Sequence, residues 1–103
     1  VLLLITNVPP EHAQSIAESL VQEKRAACVT ETPVTSTYRW EGEIHRDEEV
    51  TLTIKVSLAE VEATRTRLLE LHPYAVPEIL ALEVNQEHSH QPYVEWVREE
   101  TGS

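Results

Sequence analysis

Val34-Thr35-Ser36-Thr37-Tyr38-Arg39-Trp40-Glu41-Gly42-Glu43, continuing from Ile44 to Val56, is the stretch whose reading decides the fold. On its outward arm Val34, Ser36, Tyr38 and Trp40 share one face of an extended chain, while Thr35, Thr37, Arg39 and Glu41 share the other. Gly42 supplies the positive φ that a tight reversal needs. On the return Val50, Leu52, Ile54 and Val56 alternate with Thr51, Thr53 and Lys55, so the segment predicts a long β-hairpin. At ~3.3 Å per residue the return arm from Ile44 spans roughly 40 Å, about twice the reach of a first strand over residues 1 to 6. Half the hairpin therefore lacks a partner in its own chain. Unpaired edges carrying Tyr38 and Trp40 call for cover by another subunit. The overhang differs from the surface it would meet, so a head-to-tail contact closing into a ring is expected, with a trimer the smallest such ring.

Outward from the hairpin, residues 1 to 6 are apolar on both alternating faces and read as a central strand covered on both sides, ended by Asn7-Val8-Pro9-Pro10. Ala13, Ile16, Ala17, Leu20 and Val21 recur at helical spacing and predict a helix over residues 10 to 25. Ala26-Ala27-Cys28-Val29 leads into the second strand, where Pro33 demands a bulge or an edge position. Leu58, Val61, Leu68 and Leu71 describe a second helix that stops near His72-Pro73. Glu78 to Val84 reads as the last strand. Pro92 to Thr101, with Tyr93, Val94, Trp96 and Val97 at helical spacing, reads as a short third helix. The order βαββαβ plus a helix predicts an α+β, ferredoxin-like sandwich with an extended β2–β3 hairpin. A chain of 103 residues, 41% hydrophobic, fits one domain spanning residues 1–103. Aromatic residues make up 5% of it, with no Phe or Met, so Val, Leu, Ile and Ala must build the core.

Eighteen acidic against eight basic side chains give a formal charge of -10, which repels nucleic acid and anionic membranes. The same charge either attracts cations or serves solubility alone. One cysteine cannot form an intrachain disulfide and points to a reducing, cytoplasmic setting. Val1-Leu2-Leu3-Leu4-Ile5 is too short for a membrane span and lacks the flanks of a signal sequence, so no direct membrane insertion is expected. The first residue is Val1 rather than Met, which reads as a trimmed or mature form.

Ala26-Ala27-Cys28-Val29, Ser36 through Glu43, Ile54-Lys55, His72-Pro73-Tyr74, Val76-Pro77-Glu78-Ile79, and Tyr93 three residues before Trp96 together resemble the CutA, or divalent-cation-tolerance, family. The resemblance covers nearly the whole chain. It implies a homotrimer of ferredoxin-like subunits with the hairpin pairing between them, a link to tolerance of copper and other divalent cations, and no enzymatic activity. It also implies an architecture like that of the trimeric nitrogen-regulatory signalling proteins, which leaves a small-ligand or protein-binding role open. Two positions depart from the family pattern, with Thr30 in place of Asn and Val34 following Pro33 directly where a glycine is common. Where some members carry a thiol and paired histidines as metal ligands, this chain has Thr6 and Leu71, leaving His72.

Each candidate residue has two readings. His72 either satisfies carbonyls at a helix end or ligates Cu2+ or another divalent metal. Cys28 is a small buried hydrophobe or a soft ligand. His88 and His90 alternate in a loop, as a fortuitous pair or as two imidazoles for copper or zinc. His12 and His45 read as surface residues. Lys55 pairs with an acid such as Glu78 or offers a cation to a ligand. Tyr38, Trp40, Tyr74 and Trp96 line an inter-subunit cleft or simply pack. No nucleophile–base pair or glycine-rich phosphate loop appears, so neither an enzyme nor an organic cofactor is expected.

Overall fold

The computed structural model describes residues 1–102. In chain order the elements are β1 (Leu2–Val8), α1 (Pro10–Gln22), β2 (Cys28–Trp40), β3 (Glu43–Val56), a 3-10 turn (Leu58–Glu60), α2 (Val61–Leu71), β4 (Leu80–Glu83) and α3 (Gln91–Glu100). The sheet order is β2-β3-β1-β4 and every pairing is antiparallel. This is the ferredoxin-like sandwich that the element order predicts.

The core fills one face of the sheet. Leu4 and Val8 of β1 and Leu52, Ile54 and Val56 of β3 meet Ala13, Ile16 and Leu20 of α1 and Leu68 of α2. Strand alternation gives these residues a common side, and the helical period brings the apolar stripes of α1 and α2 onto it. Helix α1 is shorter than its apolar pattern predicts. It stops at Gln22 because Lys24 adopts a left-handed φ of 59° and the amides of Arg25 and Ala26 both fold back to the carbonyl of Leu20. That leaves Val21 43% exposed, off the buried stripe where its spacing had put it. Leu58 is likewise exposed, since the 3-10 turn comes before α2, and Thr64 takes the buried place with its hydroxyl on the carbonyl of Arg25.

Pro33 resolves as an edge residue and not as a bulge. The β2–β3 register runs unbroken from Cys28↔Lys55 to Trp40↔Glu43, through Pro33↔Val50. Only β3 pairs with β2, so the outer side of Pro33 has no ladder donor to lose. The turn is two residues long. Glu41 as well as Gly42 has positive φ, at 52° and 81°, the requirement of the turn that matches strand twist.

The register makes the overhang explicit. Strand β1 pairs with β3 only from Leu2↔Val56 to Val8↔Val50, so β3 from Glu43 to Glu49 meets β2 alone. Those seven residues project about 23 Å past the sheet at strand rise. They stretch the molecule to 44 × 28 × 21 Å.

The second face of the sheet carries Leu3, Ile5, Asn7, Thr51, Thr53 and Lys55, all only partly buried. Within one chain β1 is thus covered fully on one side, where its two apolar faces predict cover on both. Helix α3 lies over part of this second face, with the Tyr93 hydroxyl against Cys28, the neighbour of Lys55 in the register.

Candidate functional site

The odd-numbered side chains of β3 continue past the sheet on the face opposite α1 and α2, and the register sets Glu49 across from Val34 and Asp47 across from Ser36. From His72 to Ile79 the chain leaves α2 and rounds the end of β1 before entering β4. Between this segment and the root of the hairpin lies a cavity of about 580 Å3. Asn7, Ser36, Tyr38, Trp40, Glu49 and Tyr74 line it, and Val76 and Glu78 form its far wall.

His72 anchors the segment. The residue is 8% exposed, with Nε2 2.9 Å from Thr6 Oγ1 and 3.1 Å from the carbonyl of Asn7, while Nδ1 accepts the amide of Tyr74 at 3.2 Å. An Nδ1 that accepts from an amide carries no proton, so the proton sits on Nε2 and the ring is neutral. Of the two sequence readings neither survives in its simple form. The backbone amide of His72 closes α2 on Leu68, but the ring ties β1 to the loop and has no free nitrogen for a metal.

Burial lowers the His72 pKa below its usual value of 6.5, outweighing the opposing pull of the Asn7 carbonyl and the Glu49 charge. The native ring thus resists a proton that the unfolded chain accepts. Its contribution to stability is full above the unfolded value near 6.5 and erodes as pH falls through it towards the lower native value. Melting temperature is expected to drop between about pH 7 and pH 5, a window above most carboxylate titration, and His72→Asn should remove that step. An identical pH profile for both proteins would rule it out.

Tyr74 follows directly and donates its hydroxyl to Glu49 Oε2 at 2.7 Å; desolvation first, and then this bond, hold the phenol protonated far into the alkaline range. Glu49 is itself 8% exposed. Tyr38 donates to Asp47 and stacks on His45 with centroids 5.5 Å apart, and the hydrogen bond to Asp47 raises its pKa. Asn7 completes the floor, accepting from Thr51 Oγ1 at 2.6 Å. The wall thus combines aromatic faces with carboxylates, and among the described residues its lining contains no Lys, Arg or His.

Of the sequence candidates, Tyr38, Trp40, Tyr74 and Glu78 come together here. Lys55 and Trp96 do not. Lys55 stands opposite Leu3, four residues along from the Asn7 position, and its ammonium contacts Thr30 Oγ1 and lies 3.8 Å from Cys28 Sγ instead of reaching Glu78. Trp96 packs on Tyr93, with ring centroids 5.4 Å apart, at that same far end. His88 and His90 are exposed, the first in a turn held by Asn85 and the second capping α3. Among the described residues no three His, Cys, Asp or Glu side chains gather in a metal-binding arrangement. Glu49 was missed by sequence reasoning, although counting back from a two-residue turn at Glu41-Gly42 places it on the Tyr38 and Trp40 face.

Sheet order and site define a class: a ferredoxin-like sandwich whose second and third strands run far beyond the core and border an open cavity at their root. Within that class the chain belongs to the CutA1 divalent ion tolerance protein family, whose model matches residues 1–100. It is 42% identical over 102 residues to the divalent-cation tolerance protein CutA of Thermus thermophilus, covering 98% of this chain and 97% of that one. It is 45% identical over 92 residues to the bovine protein CutA, covering 88% of this chain but 51% of the relative, so it spans about half the bovine protein. Among solved structures, the PII-like protein CutA from Nostoc sp. PCC 7120 in apo form superposes with a TM-score of 0.97 at 43% identity, over 99% of this chain and 98% of that one. No helix among the described residues is long and apolar enough to cross a membrane.

Proposed function

We propose that the protein is a non-enzymatic, cytoplasmic homotrimer that serves divalent-cation tolerance by binding a small ligand in the cavity at the root of the hairpin. The observation that carries this reading is the arm from Glu43 to Glu49, which pairs with β2 alone and overhangs the cavity. The sheet ends on two unlike edges, β2 and β4. Docking the β2 edge of one subunit on the β4 edge of the next is a head-to-tail contact, of the kind that closes into a ring where its rotation permits, three copies being the smallest such ring. Leu80 and Leu82 on β4 are 56% and 42% exposed, and Trp40 and Ile44 on the arm are 48% and 67% exposed, apolar surface that such a contact would cover. The cavity would then lie between subunits, as ligand sites commonly do. The relative described as PII-like belongs to the same structural class, which supports a binding and signalling role over a catalytic one.

Direct coordination of Cu2+ is the second reading, favoured by the divalent-cation tolerance named for the Thermus relative and by the charge of -10. It would draw on Cys28 or on His88 and His90, in copies brought together by the ring. Calorimetric titration with Cu2+ and Zn2+ separates the two. Binding no tighter than about millimolar is expected, as a diffuse acidic surface gives. A submicromolar site abolished by changing His88 and His90 together, or Cys28, to alanine would favour coordination and overturn the ligand reading.

A further inference from the structure

Glu49 presents an unusual arrangement for a carboxylate that is 8% exposed. Its Oε2 accepts from Tyr74, but Oε1 has no hydrogen-bond partner among the described residues, and it is not sealed from solvent. Glu49 is among the residues that line the cavity. Among the described residues no ion pair neutralises it, since the five found there join Arg25, Arg65, Arg67 and Arg98 to Glu23, Glu60, Glu62, Glu70 and Glu95. Arg46, the nearest guanidinium in sequence, is tied to Thr37 Oγ1 on the other face of the ribbon. A carboxylate with one oxygen held by a phenol, the other accessible to solvent, and no counter-charge beside it in the chain offers a negative acceptor to a cationic occupant.

The rest of the wall says which kind of cation. Tyr38, Trp40 and Tyr74 offer ring faces, whose quadrupole attracts an organic cation and whose area is wasted on a bare ion. A divalent metal wants four or more donor atoms at short range, an arrangement not found among the described residues. An anion is repelled by Glu49 and Glu78, and a neutral polyol leaves the charge uncompensated.

We infer that the cavity takes an organic ammonium ion, a protonated alkylamine whose nitrogen donates to Glu49 Oε1 while its carbon chain lies on the rings of Tyr38, Trp40 and Tyr74. This rests on the ligand-binding role proposed above and assigns its chemical class. Glu78, exposed on the far wall, offers a second carboxylate, so a diamine should bind better than a monoamine.

The test uses the intact protein in a Trp96→Phe background, so that fluorescence reports Trp40 alone. The probes are 1,4-diaminobutane, 1,4-butanediol as its neutral counterpart, succinate and ZnCl2. Diaminobutane is expected to shift Trp40 emission saturably, at least tenfold more tightly than the diol, and Glu49→Gln, which keeps an acceptor for Tyr74, should weaken it by tenfold or more. Native mass should be the same for both proteins, which excludes loss of assembly as the cause. Equal affinity for diol and diamine, or Glu49→Gln binding as tightly as the parent, overturns the inference. Saturable binding of succinate, butanediol or zinc but not of the amine overturns the ammonium assignment and leaves the ligand-binding role standing. If none of the four probes perturbs Trp40, both fall.

Discussion

Replacing Thr35 by proline is expected to convert the proposed trimer to monomers while leaving the subunit folded. Pro33 and Thr35 are two apart on the edge strand, so their backbone groups point the same way, out from β3. The intrachain ladder loses nothing at Pro33, and by parity it loses nothing at Thr35. What Thr35→Pro removes is an outward N–H that a neighbouring strand would use, and it adds a ring in that strand's path. Far-ultraviolet circular dichroism should be nearly unchanged, Trp40 emission should shift to the red as it meets water, and the particle mass should fall. Thr35→Ala keeps the N–H and should stay assembled. A Thr35→Pro protein that remained fully assembled would show that the β2 edge is not the joint.

Leu52→Ala is expected to be the most damaging single truncation in the core, lowering stability by about 3–5 kcal/mol. Leu52 has no exposed surface and sits on β3, the one strand that holds both β1 and β2, across from Thr6 and Glu31. With no Phe or Met in the chain, the neighbouring Leu, Ile, Val and Ala side chains are short, and the void stays open because none can swing in to fill it. Urea midpoints at one fixed protein concentration measure the effect, since the proposed trimer would make stability concentration-dependent. A loss below 1 kcal/mol would mean that the site collapses freely.

The hairpin was legible in the sequence because its information is local. Period-two alternation from Val34 to Trp40 and from Val50 to Val56, with one glycine between, fixes strands, turn and overhang, and the unbroken register follows. Pro33 was legible as a choice between two outcomes, and the sheet order made it an edge residue. Helix ends were less so, because α1 ends through the conformation of Lys24, a residue whose side chain gives no warning of a left-handed φ.

The cavity was half legible. Tyr38, Trp40, Tyr74 and Glu78 stood out as residue types and do converge, but the buried state of Glu49 depends on the segment that His72 ties to β1, a contact between residues 66 apart in sequence. No periodicity reports such a contact. The same contact changed the meaning of His72, from a candidate ligand to the pin that holds one wall of the cavity. The sequence predicts cover on both faces of β1, and a single chain covers the stripe of Leu3 and Ile5 only in part. That residue of uncovered surface is the physical reason to look beyond one subunit for the complete site.

Native mass spectrometry across a range of concentrations tests this most directly. The account predicts a single species of three copies of the 11.7 kDa chain for the parent protein, falling to one copy for Thr35→Pro. A parent protein that runs as an 11.7 kDa monomer at micromolar concentration would contradict it, because the arm from Glu43 to Glu49, paired with β2 alone, would then stand in water without further cover.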